Sequence, residues 1–475
     1  ISGDDLNLGD WDKAAKVSLN LNGFVLKITA NANIMIHSVH DTTGKSKGVQ
    51  SVAGATVNFV SQNGSTGDVT VDTDMNIQGN MIIAYQNNVG VRNLTVAGRT
   101  EMYLESGLCV FGTATLKDLV INSPENGASD TAIAVITLRE SEDGKQTGQI
   151  KFTGKLINNA RRQDPILLQK MTEGKEDPVR FEPGEIIATV TATEANFPRT
   201  AIYIEGDGMF VEREGNYLKA SKNVISVYYC SPDSSTTKAQ SYSSLEKAVA
   251  ALSSDFGSAK GSYSVVFEDD WKLSKDITIP AFVTNTYWQT AQWAEDDGTW
   301  KKHYAVLDLN GHSITFASSE VEFSEGLTVT NTAKAASKIS LSMARSHFRY
   351  EAVADKKFVN ADGQVVELGD AREVFTNVSL NAPNSGVDFD VICENSDNYV
   401  GITYIMSGDI SAKSLEICGN QWKVGNVTAG SLIMDGQLHF CSKPANTKLE
   451  CRNLTLSNDI THVSSGTKVI VDNTL

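Results

Sequence analysis

The chain has 475 residues, 41 of them basic and 57 acidic, which gives a formal net charge of −16. A hydrophobic content of 41% with only 9 prolines excludes global disorder. The acidic balance disfavours nucleic acid and anionic membranes, because no basic stripe is available to neutralise phosphates. No apolar run reaches the roughly 18 residues that a transmembrane helix needs, so we expect no membrane insertion.

Short segments rich in β-branched residues and bounded by Gly, Asn or Asp recur along the chain, which predicts an all-β fold. In many of them two apolar residues at spacing two precede a small or polar residue, as in Leu94/Val96 and Leu432/Met434. Residues at that spacing point to the same face of a strand. The pattern therefore predicts the short side of a β-solenoid coil.

The cysteines sharpen the period of that pattern. Three of the six, Cys393, Cys418 and Cys441, are separated by 25 and 23 residues, a spacing typical of one β-solenoid coil. We expect reduced thiols packed as small hydrophobes, with disulfides between stacked coils as the alternative. None of the six forms a Cys-x-x-Cys pair, and His is scarce nearby, so we predict no zinc site and no cofactor.

A longer repeat divides the chain in two. Residues 19–26 (Leu-Asn-Leu-Asn-Gly-Phe-Val-Leu) resemble residues 307–314 (Leu-Asp-Leu-Asn-Gly-His-Ser-Ile), and both contain the Asn-Gly dipeptide of tight turns. We therefore expect modules at 1–225 and 226–475.

A helix is predicted over 243–252 in the second module. It would begin at a capping box formed by Ser243 and Glu246 and carry apolar residues on one face. These are Leu245, Ala248, Val249 and Leu252. The first module lacks such a helix, which a truncation at its N-terminus would explain.

The order of the second module resembles a known family. The helix is followed by Val-Val-Phe-Glu-Asp-Asp-Trp (265–271), Asp-Ile-Thr-Ile-Pro (276–280) and Val-Leu-Asp-Leu-Asn-Gly-His-Ser-Ile-Thr (306–315). This order is similar to that of large surface proteins of Gram-positive bacteria with pectate-lyase-like right-handed parallel β-helix modules.

The resemblance, strongest over 242–315, implies two tandem right-handed parallel β-helices, the second closed by its helix. It also implies an extracellular location on the bacterial cell surface, as a fragment of a larger protein. Tandem β-sandwiches are the alternative fold. No activity follows, because the β-helix serves lyases, hydrolases, tailspikes and adhesins alike.

Two acidic motifs invite a catalytic or metal-binding interpretation. Asp269-Asp270 and Gly311-His312 resemble polygalacturonase motifs, but Ser313 stands where a second glycine is needed. Residues 72–76 alternate oxygen ligands like a calcium loop, but Ile77 replaces the glycine of that loop. We therefore predict turns at all three places, the one at 72–76 solvated, and neither a catalytic residue nor a metal.

Aromatic residues concentrate between 287 and 304, with a turn signal at Asp296-Asp297-Gly298. A projecting β-hairpin there would let aromatic rings stack on sugars or anchor a protein partner. The candidate ligand-binding residues are Tyr287, Trp288, Trp293, Trp300 and Tyr304. The alternative is a hairpin folded down, with its tryptophans covering apolar surface.

Further excursions are expected near 134–185, as a hairpin over 134–150 and a charged stretch over 161–185. The leading hypothesis is a cell-surface adhesin or interaction module whose loops bind a glycan or a host or bacterial surface protein. One alternative is a polysaccharide lyase or glycoside hydrolase with a groove along one face. The other is a passive stalk.

Overall fold

The computed structural model describes most of the chain. The described residues are 6–7, 18–60, 67–123, 132–230, 236–254, 262–281, 285–290, 292–294, 300–302, 305–317, 320–323, 327–342, 345–351, 357–359, 365–367, 371–392, 403–435, 447–462 and 466–472. They form two compact units, Ile1–Lys222 and Asn223–Leu475. The division lies beside the expected module boundary at residue 225.

The first unit is built from strands throughout its described part. The strands are β1 (Leu6–Asn7), β2 (Ser18–Asn20), β3 (Leu26–Ile28), β4 (Ala32–Met35), β5 (Ser38–His40), β6 (Val49–Ser51), β7 (Thr56–Phe59), β8 (Gly67–Ile77), β9 (Asn80–Ile83), β10 (Asn87–Tyr103), β11 (Gly107–Val110), β12 (Thr113–Asn122), β13 (Ala134–Glu140), β14 (Gln149–Phe152), β15 (Leu156–Asn158), β16 (Ile166–Thr172), β17 (Pro178–Val179), β18 (Ile186–Val190), β19 (Ile202–Tyr203), β20 (Met209–Glu214) and β21 (Tyr217–Lys222). A 3-10 turn lies at Arg199–Ala201.

These strands pair in three parallel ladders. The first ladder joins β2, β5, β8, β10, β11, β13, β16 and β19. The second joins β3, β6, β8, β10, β12, β14 and β18. The third joins β1, β4, β7, β9, β10, β12 and β15. The chain visits the three ladders in rotation, and antiparallel pairs of β17, β20 and β21 follow at the end.

These segments show the alternation of buried and exposed residues that is typical of strands with one face on an apolar core. In β10, Val89, Val91, Leu94 and Val96 are buried in one apolar core, while most of the residues between them are exposed. A period of two places the residues of each pair, 89/91 and 94/96, on the inner face, and a register shift between Val91 and Asn93 keeps both pairs directed into the core.

The acidic motif at 72–76 lies within β8, so the predicted turn is wrong there. The alternation of Thr73 and Met75, which are buried, with exposed neighbours extends the strand pattern. Asp72 pairs with Arg92 at 2.6 Å, and Asp74 accepts a hydrogen bond of 2.9 Å from Asn93 on the neighbouring strand. Both acids are therefore engaged with β10 and do not form a calcium loop.

The expected excursions are shorter than predicted. Segments β13 and β14 do not pair with each other as a hairpin, because each belongs to a different parallel ladder. The turn at residues 141–147 between them does close a short hairpin around Asp143-Gly144, with an antiparallel bridge between Glu140 and Thr147 and a hydrogen bond from Gly148 N to Arg139 O. Within the charged stretch 161–185, β16 pairs along its whole length with β13.

The second unit combines strands with one α-helix in its described part. The helix is α1 (Leu245–Ser254). The strands are β22 (Ile225–Cys230), β23 (Thr236–Tyr242), β24 (Ser262–Phe267), β25 (Trp271–Lys272), β26 (Ile277–Ile279), β27 (Asn285–Thr290), β28 (Gln292–Ala294), β29 (Trp300–Lys302), β30 (Ala305–Asp308), β31 (Ser313–Phe316), β32 (Glu320–Phe323), β33 (Leu327–Thr330), β34 (Ser337–Leu341), β35 (Arg345–Glu351), β36 (Lys357–Val359), β37 (Val365–Glu367), β38 (Ala371–Thr376), β39 (Val378–Ile392), β40 (Thr403–Met406), β41 (Ile410–Cys418), β42 (Gln421–Asp435), β43 (Lys448–Leu456), β44 (Ile460–His462) and β45 (Lys468–Val471).

Parallel pairing dominates here too. One ladder joins β25, β30, β33, β38, β40, β42, β43 and β45. Another joins β26, β31, β34, β39, β41, β42 and β43. On a third side β24, β27 and β32 pair in parallel, as do β35, β39, β41, β42 and β44. Strands β22 and β23 add an antiparallel edge to β24.

The helix begins two residues later than predicted. Its cap is Ser244, whose Oγ accepts a hydrogen bond from the Lys247 N–H at 3.2 Å. The carboxylate of Glu246, which was predicted to take part in a capping box, accepts bonds from the backbone N–H and hydroxyl of Ser274. The four predicted apolar residues of one helix face are buried in the core of the unit. No helix in the described ranges is long and apolar enough to cross a membrane.

The repeated Leu-Asn-Gly motif adopts the same turn in both units. Asn22 and Gly23 have φ angles of 46° and 86°, and Asn310 and Gly311 have 45° and 82°. Two positive φ values in succession are typical of a type I′ turn. In each unit a side-chain oxygen two residues before the Asn accepts its backbone N–H, at 3.0 Å from Asn20 and 2.9 Å from Asp308. The likeness of the two motifs thus extends to their hydrogen bonds.

Candidate functional site

The aromatic segment 287–304 does not present its first tryptophan to solvent. Trp288 is fully buried, between Phe267 at 5.9 Å and Phe323 at 6.1 Å, with Phe316 against its edge. The prediction of Trp288 as a ligand-binding residue is therefore wrong, because a sugar ring cannot reach its faces. Its indole is part of the core, where large aromatic side chains are usually buried.

The remaining candidates of that segment are described only in part. Trp293 lies on β28 and Trp300 on β29, and these two strands pair antiparallel. Tyr287 lies on β27 beside Ser264 of β24. The side chains of these three residues, and the whole of Tyr304, lie outside the described part of the structure.

The two motifs that resemble those of polygalacturonase contain residues that form hydrogen bonds with backbone groups. The carboxylate of Asp270 accepts the Val306 N–H at 2.8 Å, just after β24 ends. His312 follows the Asn-Gly turn, donates its backbone N–H to Leu309 O, and has its Nδ1 3.5 Å from Asp276. His312 thus belongs to a turn, as the sequence predicted, whereas Asp270 holds the backbone of β30.

A groove lies on the outer face of the first ladder in the first unit. It has a volume of about 670 Å³ and is lined by Thr70, Asp72, Arg92, Asn93, Phe111, Gly112, Arg139, Glu140, Ser141, Gln146 and Glu173. These residues come from β8, β10, β11, β13 and their connections. Their neighbours in the strands, such as Val71, Val91 and Val110, are buried in the core. Alternation along each strand therefore turns lining residues such as Thr70, Asp72 and Arg139 outward.

The floor of the groove carries an exposed aromatic ring. Phe111 is 41% exposed, and its backbone N–H donates to Val91 O on the adjacent strand. A Cβ on Gly90 would lie 3.0 Å from Cε2 of that ring. The absence of a side chain at Gly90 thus lets the ring lie against the sheet, with the rest of its surface open to the groove.

The two arginines of the groove are in different situations. Arg92 is bound to Asp72, with its Nη2 2.6 Å and its Nε 2.8 Å from the same carboxylate oxygen. Arg139 is half-buried, and its Nε is buried without an acceptor among the residues that the structure describes. Burial raises the pKa of the neighbouring Cys109 thiol, and the positive charge of Arg139 partly offsets that rise.

One wall of the groove is acidic. Glu140 ends β13, and its carboxylate accepts a hydrogen bond of 2.9 Å from the Thr172 hydroxyl of β16. Glu173, which follows Thr172 in the chain, donates its backbone N–H to Glu140 O at 2.8 Å. Two carboxylate-bearing residues from adjacent strands therefore stand side by side, and Ser141 and Gln146 of the turn at 141–147 complete this wall.

Sequence reasoning missed the groove because its residues are spread over about a hundred positions and carry no motif. The one available signal was the expectation of excursions near 134–185, since part of the wall comes from that stretch. The position of Phe111 next to Arg92 and Arg139 follows from parallel pairing and could not be read from the spacing.

The described residues contain one further cluster of possible metal ligands, in the second unit. Ligand atoms of Glu416, Cys418 and Asp435 lie within 4.8 Å of one another. The thiol of Cys418 donates to Glu416 Oε1 at 3.7 Å. Cys418 and Asp435 are also direct partners in the ladder between β41 and β42. Strand pairing and this hydrogen bond account for the cluster.

Three of the cysteines have described side chains, Cys109, Cys418 and Cys451, and none of these three forms a disulfide. Comparisons of the chain with family models, curated proteins and solved structures found no match.

Proposed function

We propose that the chain is a bacterial cell-surface binding module built from two tandem right-handed parallel β-helices, and that the groove of its first unit binds carbohydrate. The rotation of the chain through three parallel ladders supports the β-helix in each unit. A β-sandwich is built from antiparallel sheets and would lack this pattern. The location on the cell surface rests on the family resemblance over 242–315.

The exposed ring of Phe111 in the floor of an open polar groove carries the proposal. Carbohydrate sites combine an aromatic face, which covers the C–H groups of a sugar ring, with side chains that bond its hydroxyls. Thr70, Asn93 and Gln146 supply such polar groups around Phe111. A groove of about 670 Å³ lies within the range of small-ligand sites, so it has room for a short oligosaccharide.

A glycan array probed with the whole chain tests this function. Phe111→Ala should reduce binding to the retained glycans at least about tenfold, because an anchoring aromatic contributes much of the energy of such a site. The matched control is Phe24→Ala, since Phe24 is 74% exposed in the same unit and lies outside the groove. Its binding should equal that of the unchanged protein.

Thermal unfolding of both variants accompanies the array. Because Phe111 and Phe24 are exposed, neither substitution should lower the Tm by more than a few degrees. Equal binding by the Phe111→Ala variant and the unchanged protein would exclude the groove as the glycan site.

A second candidate function is glycoside hydrolysis, favoured by the neighbouring residues Glu140 and Glu173, which both line the groove. Glycosidases use one carboxyl as acid and another as base or nucleophile. Release of reducing ends from a bound glycan, abolished by Glu140→Gln or Glu173→Gln and kept by Asp177→Asn outside the groove, would establish it. Binding without release of reducing ends would exclude hydrolysis and favour the binding module.

A further inference from the structure

Arg139 is the feature of the groove that general carbohydrate binding leaves unexplained. Its guanidinium lines the groove, yet its Nε is shielded from water and has no acceptor among the described residues. A buried donor without an acceptor destabilises the folded protein, and more so when it is charged. The side chain as a whole is only half-buried and lines the groove, so its remaining guanidinium N–H donors can bind an acceptor supplied from there.

Neighbouring charges indicate what that group is. Arg92 already has its counter-ion in Asp72, and Glu140 is bound by the Thr172 hydroxyl. Arg139 has no carboxylate bound to it in the described structure. Guanidinium groups bind planar or multidentate anions through two parallel N–H donors, a geometry that a single sugar hydroxyl cannot match.

The strands place this donor beside the aromatic floor. Val110 and Leu138 are direct partners in the parallel pairing of β11 and β13, and Phe111 and Arg139 are the residues that follow them. Adjacent strands are about 4.8 Å apart, which is the width of a pyranose ring. One sugar unit can therefore cover Phe111 while a substituent of the same unit reaches Arg139.

We propose that Arg139 anchors an anionic substituent, carboxylate or sulfate, of a saccharide whose ring lies on Phe111. This inference rests on the carbohydrate-binding function proposed above. Glu140 follows Arg139 along β13, and Glu173 follows β16, which pairs with β13 on the side opposite to β11. The anion is thus expected to lie over Arg139 toward β11, on the side away from Glu173.

Calorimetric titration of the whole chain with four tetrasaccharides tests the proposal. The probes are hyaluronan, its carboxyl-reduced form, a keratan sulfate fragment without carboxylates, and neutral chitotetraose. Hyaluronan or keratan sulfate should bind about ten- to a hundredfold more tightly than the neutral probes, and the preferred one identifies the anion. Its affinity should fall as salt is added.

Arg139→Gln should reduce the affinity for the acidic probe to that for the neutral ones, and Arg139→Lys should restore only part of it, because ammonium lacks the two parallel donors. Arg180→Gln is the matched control, since Arg180 is 71% exposed and outside the groove. A Tm equal to that of the unchanged protein would show that each variant is folded.

Two results would overturn the inference, and they are distinguishable. Equal affinity for acidic and neutral probes, with binding that depends on Phe111, would exclude recognition of an anionic substituent by Arg139. The proposed carbohydrate-binding function would then still stand. The absence of Phe111-dependent binding to all four probes and to the glycan array would remove both.

Discussion

The rings of Phe323 and Phe348 stack with centroids 5.3 Å apart and an interplanar angle of 4°. Phe323 ends β32, and Phe348 lies on β35. The stack continues along the core of the second unit through further rings on both sides, namely Phe267, Trp288, Phe389, Trp422 and Tyr404. Successive strands thus place one ring over the next, which makes this column a main source of cohesion in the unit.

Two tryptophans of that stack differ in one hydrogen bond. Both are fully buried, but Trp422 Nε1 donates to Gly419 O at 2.9 Å, whereas Trp288 Nε1 is buried without an acceptor among the described residues. Trp422→Phe should therefore lower the free energy of unfolding by about 1–3 kcal/mol more than Trp288→Phe. Urea unfolding of the two variants measures the difference, and equal losses would contradict the role of the bond.

Some of this architecture could be predicted from the sequence, and the stack shows why the rest could not. The Leu-Asn-Gly turns and the apolar face of α1 depend on contacts within a few residues, so local patterns predict them. The stacked rings, and the residues of the groove, are separated by irregular numbers of residues because the connections between strands vary in length. The aromatic cluster at 287–304 therefore led to the prediction that Trp288 binds a ligand, whereas Trp288 is a core residue.

Two glycines four residues apart in the first unit form a matched pair. Both have positive φ, +66° at Gly44 and +72° at Gly48. A Cβ at Gly44 would meet nothing within 4 Å, while one at Gly48 would lie 1.8 Å from the backbone oxygen of Asp74 in β8. Gly44→Ala should cost about 1–2 kcal/mol from backbone strain alone. Gly48→Ala should cost about 2–5 kcal/mol, because the strand must also move.

The free energy of unfolding, measured by urea denaturation of each variant, checks the pair. The difference between the two variants isolates the close approach of Gly48 to β8, since the conformational cost is common to both. Equal losses in the free energy of unfolding would show that the loop at 41–48 can shift without disturbing the pairing of β8.

Asp41 links the first Leu-Asn-Gly turn to acid stability. The backbone N–H of Ser46 holds the pKa of this carboxyl well below its ordinary value; burial opposes the effect, and the Gly23 N–H and Thr43 donors add to it. A depressed pKa means that ionised Asp41 stabilises the fold above the unfolded value of about 3.9. This stabilisation is lost as the pH falls below that value.

Asp41→Asn should therefore flatten the fall in stability between about pH 4 and pH 2, because the amide does not titrate. Urea midpoints at pH 7, 4 and 2 measure the slope. Asp177→Asn, at an exposed position, serves as the control and should follow the unchanged protein. An unaltered acid slope in the Asp41 variant would show that the turn does not depend on this charge.

Lys170 and Glu185 form the least exposed ion pair described, with Nζ 2.9 and 3.0 Å from the two carboxylate oxygens. The Lys170 side chain is 9% exposed, and its Nζ also lies 5.5 Å from the centroid of the Phe181 ring. Lys170→Met should lower the free energy of unfolding by about 1–3 kcal/mol, since Glu185 loses its partner in a partly buried position.

The exposed pair of Lys145 and Asp143, with a 2.8 Å contact in the turn at 141–147, provides the comparison. Lys145→Met should change stability by less than about 1 kcal/mol, because water and salt screen an exposed pair. A double-mutant cycle with Glu185→Gln then separates the coupling between Lys170 and Glu185 from the loss of each side chain alone. A coupling below about 1 kcal/mol, the range of exposed pairs, would mean that burial adds nothing to this pair.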